Sequence, residues 1–147
     1  MQQMLKISNE TWNETSKKLY WATPPDLYNK LDKRFNFDFD PCPNPRPEGF
    51  DGLEVEWGNC NYVNPPFTGG VTKWARKAIA EQEKGRTSVI ILPTYQVRVT
   101  SLLGMHGAKI EYAGCPRWLD LKTNEPNPAK EKDLHPCLLF ILEGKNV

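Results

Sequence analysis

The sequence predicts an α/β fold: helices packed against a sheet that ends in an antiparallel pair of strands. Three observations predict it. Strand-like apolar runs alternate along the chain with segments of helical period. The run Thr87-Ser88-Val89-Ile90-Ile91-Leu92 is apolar and is closed by Pro93, the pattern of a central strand covered on both faces. A long polar stretch, 122–136, separates the last two strand-like segments and can return the chain antiparallel. The 147 residues suit one domain spanning 1–147.

Each element follows from local chemistry. Residues 1–19 are polar and without period, and read as a flexible, at most partly helical, N-terminal arm. Thr23-Pro24-Pro25 reads as a helix start, with Thr23 as N-cap and proline in the first turn. Leu27, Leu31 and Phe35 give that helix an apolar face. Phe37-Asp38-Phe39-Asp40 alternates like a strand and is stopped by Pro41. From Pro41 to Gly52 the chain holds four prolines and two glycines, which leaves no room for a helix. Asn61-Tyr62-Val63 reads as the next strand. A helix over Val71–Lys84 follows from the spacing of Val71, Trp74, Ala75, Ala78, Ile79 and Gln82, with Gly85 as its terminator. Trp57 and Trp74 read as core. Beyond Pro93 come a short helix over Val97–Met105 and strands at Lys109–Tyr112 and Arg117–Leu121. The loop 122–136 then leads to a buried strand, Cys137–Leu142.

Composition narrows the classes of function. A hydrophobic content of 39% and a charged content of 25% are those of a soluble globular protein. No apolar stretch approaches membrane-spanning length, and the polar start Met1-Gln2-Gln3 does not read as a signal peptide. With a net charge of +1, contact with nucleic acid has to come from local basic clusters. Cys42, Cys60, Cys115 and Cys137 form no Cys-x-x-Cys pair, and with His106 and His135 they do not space as a zinc site. Reduced thiols in a cytoplasmic protein are the reading, with no metal.

The chemistry concentrates at Asn64-Pro65-Pro66-Phe67. Two prolines have no N–H to continue a ladder, and each holds the residue before it out of the helical region. The outcome is a stiff, extended stub that offers carbonyl oxygens, with an amide before it and a flat apolar ring behind. Such a stub suits a ligand that brings two N–H protons and an aromatic ring, as the exocyclic amine of a nucleobase does. Asp40-Pro41-Cys42 also follows a strand, so the two segments are candidate walls of one cleft at the carboxyl ends of the strands.

Asn-Pro-Pro-Phe after a hydrophobic strand resembles the catalytic motif of S-adenosylmethionine-dependent amino-methyltransferases. The ordered set resembles most closely the phage DNA N6-adenine methyltransferase (Dam-like) family. Trp21-Ala22-Thr23-Pro24 resembles its opening Trp-x-Thr-Pro segment, and Phe39-Asp40-Pro41-Cys42 its cofactor segment. Asp51-Gly52-Leu53, Trp57, Asn64-Pro65-Pro66-Phe67 and Trp74 then continue the match in order over about residues 20–121. The resemblance implies a reduced Rossmann-like methyltransferase sheet, mostly parallel with an antiparallel C-terminal strand pair. The chain lacks that general fold's glycine-rich turn after the first strand and its acid after the second, hence the reduction.

The resemblance further implies transfer of a methyl group from S-adenosylmethionine to the N6 amine of a flipped adenine in DNA. Asn64, Pro65, Pro66 and Phe67 would be the catalytic group. The Asn64 side-chain oxygen and the Pro65 carbonyl would accept the two amine protons and localise the lone pair, and Phe67 would stack on the base. Trp21, Thr23, Pro24, Asp40, Pro41, Cys42 and Asp51 would bind the cofactor. Asp40 would accept from its amino-acid end or hold the Pro41-Cys42 loop, and Asp51 would accept from its adenine amine. Lys73, Arg76 and Lys77 on the helix, with Lys122, Lys130 and Lys132 in the long loop, are the candidates for DNA phosphate. If the protein is phage-encoded, its compartment is the bacterial host cytoplasm. Other amine acceptors stay open (cytosine N4, an RNA base, a glutamine amide), as does a non-catalytic nucleic-acid-binding module of the same fold. Oligomeric state is not legible.

Overall fold

Alternation along two strands builds the centre of the molecule. The computed structural model describes residues 21–67 and 70–146, so the expected arm over 1–19 lies outside the described residues. In chain order the elements are α1 (Pro25–Phe35), β1 (Cys60–Val63), α2 (Val71–Glu83), β2 (Thr87–Pro93), α3 (Val97–Met105), β3 (Lys109–Gly114) and β4 (Cys137–Leu142). A single 3-10 turn, Glu131–Asp133, precedes β4. Successive strand side chains point to opposite faces. Val89 and Ile91 of β2 therefore join Leu139 of β4, Tyr62 of β1 and Tyr28 and Leu31 of α1 in one core. Ile90, Leu92, Phe140 and Leu142 point the other way and meet Trp74, Ala75 and Ala78 of α2 and Leu103 of α3. With helices on both faces, β2 has no solvent side, which accounts for its unbroken apolar run.

The strand order is β1-β2-β4-β3. Only β1 and β2 pair in parallel; β4 runs antiparallel to β2 and to β3. The expected mostly parallel, Rossmann-like sheet is therefore corrected to a small mixed sheet in which two of three pairings are antiparallel. The cause lies in the residues. β4, Cys-Leu-Leu-Phe-Ile-Leu, is buried almost throughout and takes an inner position, with Ile90 opposite Phe140. β3 carries Lys109 and Glu111 and leaves Ile110 and Tyr112 exposed, so it takes the edge.

Two further expectations change. Arg117–Leu121 is not a strand; Leu119 makes only isolated bridges, to Ala22 and to Pro126. The Phe37–Asp40 strand is reduced to one parallel bridge, Phe39 to Asn61. That bridge is nevertheless firm. Asp38 N–H donates to Cys60 O and Tyr62 N–H donates to Phe39 O, both at 3.0 Å. The Asp38 carboxylate accepts from Cys60 N–H at 2.9 Å and occupies space that a Cβ at Gly58 would enter, 2.4 Å from Asp38 Oδ1. Because Phe39 and β1 run the same way, Asp40 and Asn64 leave the sheet at the same end.

Several polar groups are paired around one buried carboxylate. Glu81 of α2 is fully buried, and its Oε1 accepts from Arg86 Nη1 at 2.6 Å and from the Trp57 backbone N–H at 2.9 Å. Lys84 and Lys77 reach Oε2 at 3.2 and 3.4 Å. Burial alone would raise the Glu81 pKa; the hydrogen bonds from Trp57, Arg86 and Lys84 and the charge of Lys77 outweigh it and lower the pKa from 4.5 to about 2. A depressed carboxyl contributes stability that is complete above its unfolded value and is lost as pH falls from there toward 2. Glu81→Gln is therefore expected to destabilise the fold by about 3 kcal/mol at neutral pH. In urea titrations, the gap to the unsubstituted protein should narrow between pH 4.5 and about 2; a constant gap would contradict this assignment.

Candidate functional site

One backbone carbonyl organises the end of the sheet where Asp40 and Asn64 emerge. Trp21 O accepts from Asn44 Nδ2 at 2.9 Å and from Asn64 Nδ2 at 3.0 Å. A carbonyl can only accept, so both amides turn their nitrogens toward it and leave their oxygens free. Asn44 Oδ1 is buried with no partner among the described residues. Asn64, 4% exposed, has a second, long contact from Nδ2 to Thr23 Oγ1 at 3.5 Å, and no described group donates to its Oδ1.

These oxygens border a cavity of about 20 Å³, lined among others by Thr23, Asp40, Cys42, Asn44, Tyr62 and Asn64. That is room for a water-sized group. Thr23 and Tyr62 share a 2.7 Å hydroxyl–hydroxyl hydrogen bond across it. Thr23 is therefore not the expected N-cap. Pro24 occupies that place and makes no side-chain cap, because its ring carries no acceptor. Burial pushes the Tyr62 phenol far up, so it stays neutral.

Burial also pushes Asp40 up to about 7, against the lowering effect of the hydrogen bond its Oδ1 accepts from Cys42 N–H at 2.8 Å. Burial, with the charges of Asp40 and Asp51, raises the Cys42 thiol well above its ordinary value. Cys42 is thus a packed thiol and no nucleophile. Pro41 is buried against Gly52, where a Cβ would stand 1.9 Å from Pro41 O. Asp51 is exposed, and its Oδ1 accepts from Leu53 N–H at 2.9 Å in a turn; it does not line this cavity.

A second cavity, of about 160 Å³, adjoins the other end of the stub. Trp21, Phe67, Pro93, Trp118, Asn127 and His135 are among its lining residues. Phe67 and Trp118 meet edge-to-face with centroids 5.7 Å apart. The Phe67 carbonyl accepts from Gln96 Nε2 at 3.0 Å, which ties the stub to the start of α3. Pro65 and Pro66 are buried between the two cavities' flanking segments, as befits a rigid connector. At 160 Å³ the space is below the roughly 300–1,000 Å³ of drug-sized sites and suits one small ring system.

The basic candidates separate. Lys77 is held by Glu81 and lies 5.9 Å over the Trp57 ring. Lys73 and Arg76 are exposed on α2. Lys122, Lys130 and Lys132 are exposed on the loop that also carries Asn127.

Sequence reasoning missed Asn44, Tyr62, Trp118, Asn127 and His135. Asn44 had a usable signal: flanked by Pro43 and Pro45, it sits where neighbouring N–H groups are missing. Trp118 fell within a segment read as strand, and Asn127 within a loop read only for its lysines.

The raised Asp40 carboxyl has a testable consequence. Folded protein keeps that proton from 3.8 up to about 7 while unfolded chain loses it, so stability falls with rising pH over that window and is flat above it. Asp40→Asn keeps the acceptor for Cys42 and carries no charge. The variant should gain on the unsubstituted protein between pH 4 and 7 in denaturant titrations (~ one carboxyl), and a gap that does not vary with pH would refute the assignment. Comparison with protein-family models, with curated proteins and with solved structures finds no match for this chain.

Proposed function

We propose that the protein transfers a methyl group from S-adenosylmethionine to the exocyclic amine of a nucleobase, adenine N6 in DNA being the acceptor that the motif order favours. The observation that carries this reading is the orientation of Asn64. Its nitrogen is committed to Trp21 O, which leaves Oδ1 as a fixed acceptor on the stub whose Phe67 lines the aromatic cavity. An amine hydrogen bonded to that oxygen and to the Pro65 carbonyl has its lone pair directed out of the ring plane. A base with a carbonyl at that position meets acceptor against acceptor and is rejected. Phe67 and Trp118 supply the flat apolar surface for the ring.

The residues fit the amino-acid end of the cofactor. Its ammonium is water-sized and donor-only, and the 20 Å³ cavity offers the Asp40 carboxyl together with the unpartnered oxygen of Asn44. Asp40 would hold the charge, Thr23 and Tyr62 the hydroxyl wall. When bound, the cofactor supplies a methyl group already activated by its sulfonium charge. The chain's contribution is position and electrostatics. Pro24, Pro41 and Cys42 shape the backbone around that end.

The small volume at Asp40 favours a second reading, a base-binding module without transfer. Calorimetry with S-adenosylmethionine separates the two, since a protein that never binds it is not this enzyme. For the first reading, labelled methyl groups should appear in DNA and co-migrate with N6-methyl-2′-deoxyadenosine on nucleoside analysis. Asn64→Ala should lower the rate by about 10²–10³-fold while calorimetry still registers cofactor binding; undiminished transfer would discard the amine contact.

DNA phosphate would be met by Lys122, Lys130 and Lys132, with Lys73 and Arg76 on α2. Replacing the three loop lysines by alanine should weaken binding evenly across sequences and reduce the slope of log affinity against log salt by about 3. An unchanged slope would move the phosphate contacts elsewhere.

A further inference from the structure

We propose that the aromatic cavity reads its base through Asn127, whose side-chain nitrogen donates a hydrogen bond to the ring nitrogen beside the exocyclic amine. This rests on the base-binding reading above and adds the second half of the recognised edge. The argument is one of elimination at a residue that lines the cavity with Phe67 and Trp118. Asn127 N–H donates to Trp118 O at 2.9 Å. Its carbonyl accepts from Arg117 Nη1 at 2.6 Å, and its Oδ1 accepts from Ala129 N–H at 2.9 Å. Every polar group of Asn127 except Nδ2 is thus committed among the described residues. The Ala129 contact also fixes which way the amide faces, because an N–H can be met only by the oxygen. What Asn127 has left to offer the cavity is a donor.

Arg117 braces this arrangement. The same Nη1 that meets Asn127 O donates to Ala129 O at 2.6 Å, so the turn is held from the opposite side. Asn127 is therefore placed by two backbone partners and one guanidinium. Asp133 offers only acceptors to the cavity, and the His135 ring sits edge-on to Tyr95 at 5.5 Å.

With the acceptor that the base-binding reading assigns to Asn64, a donor at Asn127 complements an amine next to an unprotonated ring nitrogen. Adenine presents that pair at N6 and N1, and cytosine at N4 and N3. Thymine and uracil present a carbonyl beside a ring N–H and are mismatched at both positions, as guanine is along its O6–N1 edge. A glutamine amide has no ring nitrogen to offer. The inference thus favours adenine and cytosine over thymine, uracil and the O6–N1 edge of guanine.

The test uses the full chain and three single-stranded oligothymidylates: one unmodified, one with a single central adenine, one with 1-deazaadenine there, in which a C–H replaces N1. Affinity is read from quenching of tryptophan fluorescence at fixed salt. The unsubstituted protein should bind the adenine strand about tenfold more tightly than the 1-deazaadenine strand. Asn127→Asp keeps the oxygen that receives Ala129 N–H but replaces the donor by an acceptor, and should bind both strands alike. Equal affinity of the unsubstituted protein for both strands, each tighter than unmodified oligothymidylate, would overturn the inference and leave the base-binding reading standing. Retention of the tenfold preference by Asn127→Asp would also overturn it. Affinity no better than for unmodified oligothymidylate would remove the base-binding reading, and this inference with it.

Discussion

The Glu81 carboxylate joins parts of the chain that the sheet does not connect. It sits on α2, fully buried, and fixes the backbone of Trp57 and the guanidinium of Arg86. Trp57 in turn packs in the core beside α2, and its indole N–H donates to Gly52 O at 2.8 Å. Gly52 lies so close to Pro41 that no side chain fits between them. Asp40 precedes that proline. A line of direct contacts therefore runs from a helix on one face of the sheet to the carboxyl group at its end. Three cations surround this buried anion, and the exposed Glu56, 3.5 Å from Lys84 and 3.7 Å from Arg86, offsets part of the positive excess.

The same economy of contacts explains why the site presents acceptors. Buried side-chain amides usually satisfy both ends. Here the two amides share one carbonyl through their nitrogens, which leaves both oxygens without a donor among the described residues. Asn61, one strand residue earlier than Tyr62, shows the ordinary outcome: its nitrogen reaches Gly58 O and Thr87 O, and its oxygen accepts Gly58 N–H. Gln82 of α2 behaves like Asn44, its nitrogen donating to His106 O and Glu143 O and its oxygen buried without a partner among the described residues. Cys42 and Tyr62, both kept neutral by burial, add no competing charge beside Asp40.

Much of this was legible in the residues. Helical period located α2 and α3, and apolar runs located β2 and β4, because burial on a face imposes a spacing that needs no tertiary knowledge. Pairing direction was not legible. The choice of β4 over β3 for the inner position depends on which of two short strands loses more by exposure, a comparison made only once both compete for β2. The stub at Asn64 was visible as stiff backbone, but the direction of its amide depends on Trp21, forty-three residues earlier. Asn127 was invisible for a similar reason. Its significance comes from what its other atoms are bonded to, and no spacing rule encodes that.

Trp21 stands at the junction of the two cavities. Its carbonyl takes both amides on the polar side, and the residue also lines the aromatic side. Asn64 borders the first cavity and Phe67 the second, so the four-residue stub spans the boundary between them. For a group transfer, that division has a physical use. A cationic donor is drawn to oxygens and a carboxyl group, whereas a flat neutral ring is drawn to Phe67 and Trp118. Each ligand is poorly matched to the other's side, since an unpaired charge against aromatic walls and a ring wedged among carbonyls both lose hydration without compensation. The two prolines then keep the polar and aromatic ends of the stub at a fixed separation, which neither glycine nor an ordinary turn would do.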